Sequence, residues 1–221
     1  MNATTNLSLK PVRFAGSELP EKHHICAFFR NPEEEYEALL PFIKEGIELG
    51  EKAFHVVNPL MLNDHARRLE SAGIDVEGAA ESGQFQFCDW NQAYLPDGRF
   101  DQDRMLAMWQ DVMNAAQLKG YARTRVIAHM EWALEEREGV SDLIEYEARL
   151  NLHLNLRDPV ICNYDLTKFS GDIIMDVLRT HPTVIVGGIL QKNPFYVEPE
   201  QFLQEIRERR ANSGRSRTTV N

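Results

Sequence analysis

The chain has 221 residues, 43% hydrophobic and 26% charged, which suits one domain with a packed core and short tails. Its net charge of −10, from 24 basic and 34 acidic residues, repels phosphate backbones and argues against direct nucleic-acid binding. No apolar run approaches the roughly 18–20 residues of a membrane helix, residues 1–7 lack a basic-then-apolar leader, and a cytoplasmic location is expected.

Residues 1–20 read as a loose N-terminal arm, and a single domain is expected over 21–210. His24-Ile25-Cys26-Ala27-Phe28-Phe29 is an apolar run of strand length. Asn31-Pro32-Glu33-Glu34 then opens a helix: Asn31 caps it, Pro32 takes the first helical position, and the acids face the positive helix end. Tyr36, Leu39, Leu40, Ile43 and Ile47 recur at helical spacing as far as Gly50. Ala53-Phe54-His55-Val56-Val57 is a second strand, ended by Asn58-Pro59, and a helix follows to about residue 72. Phe85-Gln86-Phe87-Cys88 is a third strand. Met105, Met108, Trp109, Val112 and Met113 mark a helix ending at Gly120. Arg125-Val126-Ile127-Ala128 is a fourth strand, and Ser141 caps a helix to about residue 156. Val160-Ile161-Cys162-Asn163-Tyr164 and Thr183-Val184-Ile185-Val186 are further strands, separated by a short helix near 173–178. Phe202, Leu203 and Ile206 mark a final helix, and the polar residues 211–221 are expected to be disordered. Strands alternating with helices predict a three-layer α/β fold, its mostly parallel central sheet covered by helices on both faces.

In such sheets ligands sit at the carboxyl ends of the strands. That rule selects Arg30, Asn58, His129, Glu131, Trp132, Tyr164 and Asp165 as one candidate pocket. Glu147 joins them because it shares a helical stripe with Leu143, Leu150 and Leu154, where a carboxylate needs a partner or a pocket. The loop Arg30-Asn31-Pro32-Glu33-Glu34-Glu35 has no glycine and no GK[ST], so it is not a phosphate loop. Cys26, Cys88 and Cys162 read as reduced, buried thiols without metal spacing, and His23-His24 is an isolated pair. No metal and no cofactor are expected. The basic cluster Arg207-Glu208-Arg209-Arg210, with Arg215 and Arg217, reads as a solvated helix end.

Several segments together resemble the MEDS domain, a sensory module named for methanogens, methylotrophs and the dichloromethane-dehalogenase repressor. They are the first strand, the Glu-rich turn, and Phe42-Ile43-Lys44-Glu45-Gly46-Ile47-Glu48-Leu49-Gly50-Glu51-Lys52. Further along come Arg125-Val126-Ile127-Ala128-His129-Met130-Glu131-Trp132, then Glu145-Tyr146-Glu147-Ala148-Arg149-Leu150-Asn151, then Ile161-Cys162-Asn163-Tyr164-Asp165. His181-Pro182 and Asn193-Pro194-Phe195-Tyr196 complete the series. The resemblance implies a RecA/KaiC-like core used for sensing. Such ATPases place a catalytic acid where this chain has Asn58-Pro59, and a magnesium-binding Asp where it has His129. The resemblance thus implies a non-catalytic sensory module that binds a small molecule and signals to a regulatory protein partner, with self-association left open. Two alternatives stand beside it: an interaction scaffold without a metabolite, and an enzyme of other chemistry built on Glu131, His129, Asp165 or Tyr164.

Overall fold

The computed structural model describes residues 10–20, 23–153 and 157–218. The first of these segments folds into a small antiparallel hairpin, β1 (Arg13–Phe14) and β2 (Ser17–Glu18), whose turn puts Ala15 and Gly16 at positive φ. Val12 and Phe14 are buried, and the Phe14 ring lies 4.9 Å from that of Phe42. Over residues 10–20 the expected loose arm is therefore a docked hairpin. Two inward apolar side chains hold a segment whose composition reads as mixed; residues 1–9 lie outside the described residues.

The main body continues as β3 (His24–Phe29), α1 (Pro32–Glu48), β4 (Lys52–Val57), α2 (Leu62–Ser71), α3 (Val76–Glu81), β5 (Phe85–Asp89), α4 (Trp90–Ala93) and α5 (Gln102–Leu118). Then come β6 (Thr124–His129), α6 (Leu143–His153), β7 (Val160–Asp165), α7 (Gly171–Thr180), β8 (Thr183–Val186), β9 (Ile189–Lys192) and α8 (Pro199–Thr218). The sheet order is β5-β4-β6-β7-β3-β8-β9. Every pairing is parallel except the last, where the chain turns back through Gly187 and Gly188, both at positive φ.

Strand alternation divides the core in two. Ile25, Ala27, Ile127, Ile161 and Ile185 face Leu39, Phe42 and Leu69 of α1 and α2. Cys26, Phe28, Val126, Ala128, Cys162 and Tyr164 face Trp109, Tyr146 and Val177 of α5, α6 and α7. Cys26 and Cys162 are buried as expected, whereas Cys88 on the edge strand β5 is only half-buried.

The final helix docks on α6 through Phe202, Ile206 and Ala148. It continues to Thr218, across most of the segment expected to be disordered; only 219–221 lie outside the described residues. Once Phe202 and Ile206 anchor a helix, each further residue adds a hydrogen bond without a new nucleation cost. Arg209 pairs with Asp176 at 2.8 Å, and Arg210 with Asp142 at 2.7 Å. Beyond Arg210, residues 211 and 212 are exposed. Truncation after Arg210 is therefore expected to change the melting temperature by less than about 2 °C, the effect of roughly half a kcal/mol in a chain of this size. Circular-dichroism melts of the two forms check this.

Candidate functional site

The parallel register brings the carboxyl ends of four adjacent strands together. His129 is the cross-strand neighbour of Asn163, and Phe29 that of Asp165. Above them the chain passes from Phe29 to Pro32 through only Arg30 and Asn31, so the first turn of α1 sits directly over the strand ends. A cavity of about 140 Å³ lies beneath that turn. Its walls include Glu35, Tyr36, Asn58, His129, Glu131, Asn163, Tyr164, Asp165 and Lys168.

Polar groups define its floor. His129 Nε2 lies 2.6 Å from Glu35 Oε1, and its Nδ1 lies 3.2 Å from the Val56 carbonyl oxygen. Both ring nitrogens thus face acceptors, an arrangement only the imidazolium satisfies by donating twice. Burial opposes that charge, but Glu35, then Glu131, outweigh it and push the imidazole up to about 9. Asn163 Nδ2 donates to Glu35 at 3.2 Å, while its buried Oδ1 has no hydrogen-bond partner. Tyr36 OH contacts His65 Nδ1, and His65 Nε2 lies 2.9 Å from His55 Nδ1. Burial, then His129, pushes His55 down to about 3; burial, then His55, pushes His65 well down. A neutral two-histidine chain therefore backs the Tyr36 hydroxyl. At the mouth, Lys168 bridges Asp165 at 3.0 Å and Glu131 at 3.4 Å.

Of the residues selected from sequence, Asn58, His129, Glu131, Tyr164 and Asp165 line this one cavity. Three do not. Arg30 is 70% exposed and pairs with Glu34 across the first turn of α1. Trp132 is fully buried on the opposite face of the sheet, stacked on Tyr94 at 4.3 Å and 11°. A 3₁₀ turn over Glu131–Leu134 leaves Glu131 at the rim and drops the large apolar ring into the core. Glu147 is also fully buried on that face, where its Oε1 accepts from Tyr164 OH at 3.1 Å. Tyr164 accordingly borders the cavity with its hydroxyl turned away from it.

The strand-end rule does not select Glu35, Tyr36, Asn163 or Lys168. Glu35 reads in sequence as one of three acids at a helix start, and only the proximity of His129 distinguishes it from Glu33 and Glu34. The partners of Glu147 are equally hidden. His24 Nε2, His181 Nε2 and Cys162 Sγ lie 3.2, 3.4 and 3.9 Å from its Oε2. The four residues come from β3, α6, β7 and the end of α7 and share no local spacing.

The parallel sheet, with helices on both faces and a cavity at its strand ends, defines a RecA/KaiC-like core. Two solved structures share that fold. One is a KaiC-like protein from Pyrococcus horikoshii OT3, with 19% identity, a TM-score of 0.54, and coverage of 77% of this chain and 73% of that one. The other is the flagellar accessory protein FlaH from Methanocaldococcus jannaschii, with 13% identity, a TM-score of 0.51, and coverage of 80% and 78%. The chain belongs to the MEDS family, the methanogen/methylotroph, DcmR sensory domain, whose model matches residues 23–182. It is 28% identical over 169 residues to the transcriptional repressor DcmR of Methylorubrum extorquens, a match covering 76% of this chain and 61% of the repressor. The family is that of a sensory domain, and the match spans only about three-fifths of the repressor's own length. Among the described residues no helix is long and apolar enough to cross a membrane.

Proposed function

We propose that the chain is a non-catalytic sensor that holds a small polar molecule in the Glu35–His129 cavity and passes its state to a regulatory protein partner. The observation that carries this reading is the buried, unpartnered Asn163 Oδ1 beside the Glu35–His129 pair. A buried acceptor without a donor costs about 1–3 kcal/mol, which a hydrogen-bonding ligand recovers. Size narrows the ligand. A dry cavity of about 150 Å³ admits benzene, so the 140 Å³ here suits a molecule of about that bulk rather than a nucleotide.

The two-residue link from β3 to α1 supports the absence of phosphate binding. Asn31 Oδ1 already accepts from Glu34 N at 2.9 Å, and Glu34 accepts from Arg30 N at 3.0 Å. Asn31 thus takes up the Glu34 amide, and Glu33, Glu34 and Glu35 in the first turn repel an anion. DcmR is a transcriptional repressor; in this chain the net charge of −10 favours a protein partner over DNA.

Two measurements test the proposal. Native mass spectrometry of freshly purified chain should show a small, dissociable mass excess that Glu131→Ala and Asn163→Leu diminish. Calorimetry with Mg-ATP should show no micromolar binding. Micromolar binding of Mg-ATP, or its turnover abolished by Glu131→Gln, would overturn the sensor reading.

A further inference from the structure

On the far face of the sheet from the cavity, four side chains meet in a volume closed to solvent. His24 and Cys162 are 2% exposed, and Glu147 and His181 are 0% exposed. Hydrogen bonds behind the two rings fix how they present themselves. Asn151 Nδ2 donates to the Thr180 carbonyl at 2.7 Å and the Glu147 carbonyl at 3.1 Å. Its Oδ1 is therefore the acceptor, and His24 Nδ1, 3.1 Å away, is the donor. His181 Nδ1 lies 2.9 Å from the Val177 carbonyl oxygen and donates to it. Each ring therefore turns its Nε2 edge to the other side. Both Nε2 atoms face Glu147 Oε2, at 3.2 Å for His24 and 3.4 Å for His181. Two ring nitrogens, a carboxylate oxygen and a sulfur thus converge where water does not reach.

We propose that His24, Glu147, Cys162 and His181 form a closed, four-ligand site for a zinc-class divalent cation. The ligand atoms all lie within 4.8 Å of one another. With Zn–N and Zn–O near 2.0–2.1 Å and Zn–S near 2.3 Å, a tetrahedral site has edges of about 3.3–3.6 Å. Four of the six edges are 3.2 Å for His24–Glu147, 3.4 Å for His181–Glu147, 3.6 Å for Cys162–His24 and 3.9 Å for Cys162–Glu147, and the other two are at most 4.8 Å. The two imidazole rings lie 4.0 Å apart at a tilt of 38°, so binding splays them slightly. Two nitrogens, a sulfur and one carboxylate oxygen favour zinc-like ions over magnesium or calcium. Binding expels the Cys162 thiol proton. A doubly charged cation then balances one thiolate and one carboxylate, so the buried site is electrically neutral. The carbonyl and amide groups behind the imidazoles are the partners that orient metal-bound histidines. With four protein ligands and no open position the site is structural. It ties β3, β7, α6 and α7 together and, through Tyr164 and Glu147, fixes the strand that carries Asn163 and Asp165 to the cavity.

Untagged full-length chain, purified from zinc-supplemented cells without chelator, should carry one zinc per chain by inductively coupled plasma mass spectrometry. Stripped and reloaded with cobalt chloride, it should show intense tetrahedral absorption bands and a sulfur-to-cobalt charge-transfer band. Cys162→Ser should lose the charge-transfer band, and adding zinc to stripped wild type should raise its melting temperature. A metal-free chain whose cobalt spectrum is that of the hexaaquo ion, with no thermal shift from zinc, would overturn the proposal. The quartet would then hold a shared proton between an imidazole and Glu147. If Cys162→Ser does not fold, the wild-type metal content and cobalt spectrum decide alone. The cavity reading stands or falls separately, because its test detects an organic mass.

Discussion

Replacing Glu51 with alanine should destabilise the chain by about 3–5 kcal/mol, the usual cost of removing one partner from a buried ion pair. Glu51 is 5% exposed and serves two arginines at once. Its Oε1 lies 2.7 Å from Arg123 Nη1 and its Oε2 2.6 Å from Arg125 Nε. Arg125 also donates to the Phe42 carbonyl at 2.6 Å and reaches Glu45 at 3.0 Å. Arg123 donates to the carbonyls of Arg157 and Lys10, each at 3.0 Å. Removing Glu51 leaves two buried guanidiniums, with the half-buried Glu45 as the remaining carboxylate on Arg125. A melting temperature lower by on the order of 10 °C should result. Glu51→Gln should fall between, since it keeps one acceptor and loses the charge. A loss below about 1 kcal/mol in Glu51→Ala would mean that water replaces the carboxylate, as at a surface pair.

Gly46 has its explanation in the same cluster. A Cβ built there would lie 2.6 Å from Arg125 Cδ, so only glycine lets the helix pass this close to the buried guanidinium. The cluster sits at the amino ends of β4 and β6, opposite the cavity, and Glu51→Ala acts on stability rather than on the ligand site.

Much of this fold is legible in the sequence because local chemistry dictates it. Asn31 caps α1 as its place before Pro32 predicts, and the six main parallel strands coincide with short apolar runs. Local patterns fail where tertiary contact decides. Val12 and Phe14 become core only because Phe42 lies opposite, and β9 forms because the Gly187-Gly188 turn folds it onto β8. Ser141 looks like a helix cap, yet it falls inside a 3₁₀ turn and α6 begins at Leu143. Strand ends locate the cavity without its chemistry. The rule brings out His129 and Asp165, but it cannot choose Glu35 among three neighbouring acids. Nor can it see that Trp132, one residue past the rim, is more stable stacked on Tyr94. Glu147 stands out in sequence as a carboxylate on an apolar stripe. Its partners are three residues from other parts of the chain, which no local spacing connects to it.

The Glu35–His129 pair should set the alkaline limit of stability. The folded-state pKa of His129 is raised from 6.5 to about 9. Below pH 6.5 the imidazole is protonated in folded and unfolded chains alike, and the stabilisation is fully present. As pH rises through about 9 the folded chain gives up that proton, and about 3 kcal/mol is lost. His55 and His65 act in the opposite sense. Their folded-state values are depressed, so the unfolded chain gains protons first and stability falls as pH drops below 6.5. Glu35→Gln should remove the alkaline limb and spare the acidic one. In melts across pH, the gap between wild type and variant should be largest near pH 6, on the order of 10 °C, and should close above about pH 9. A gap that stays constant from pH 6 to 10 would show that Glu35 acts through packing alone, with His129 neutral throughout.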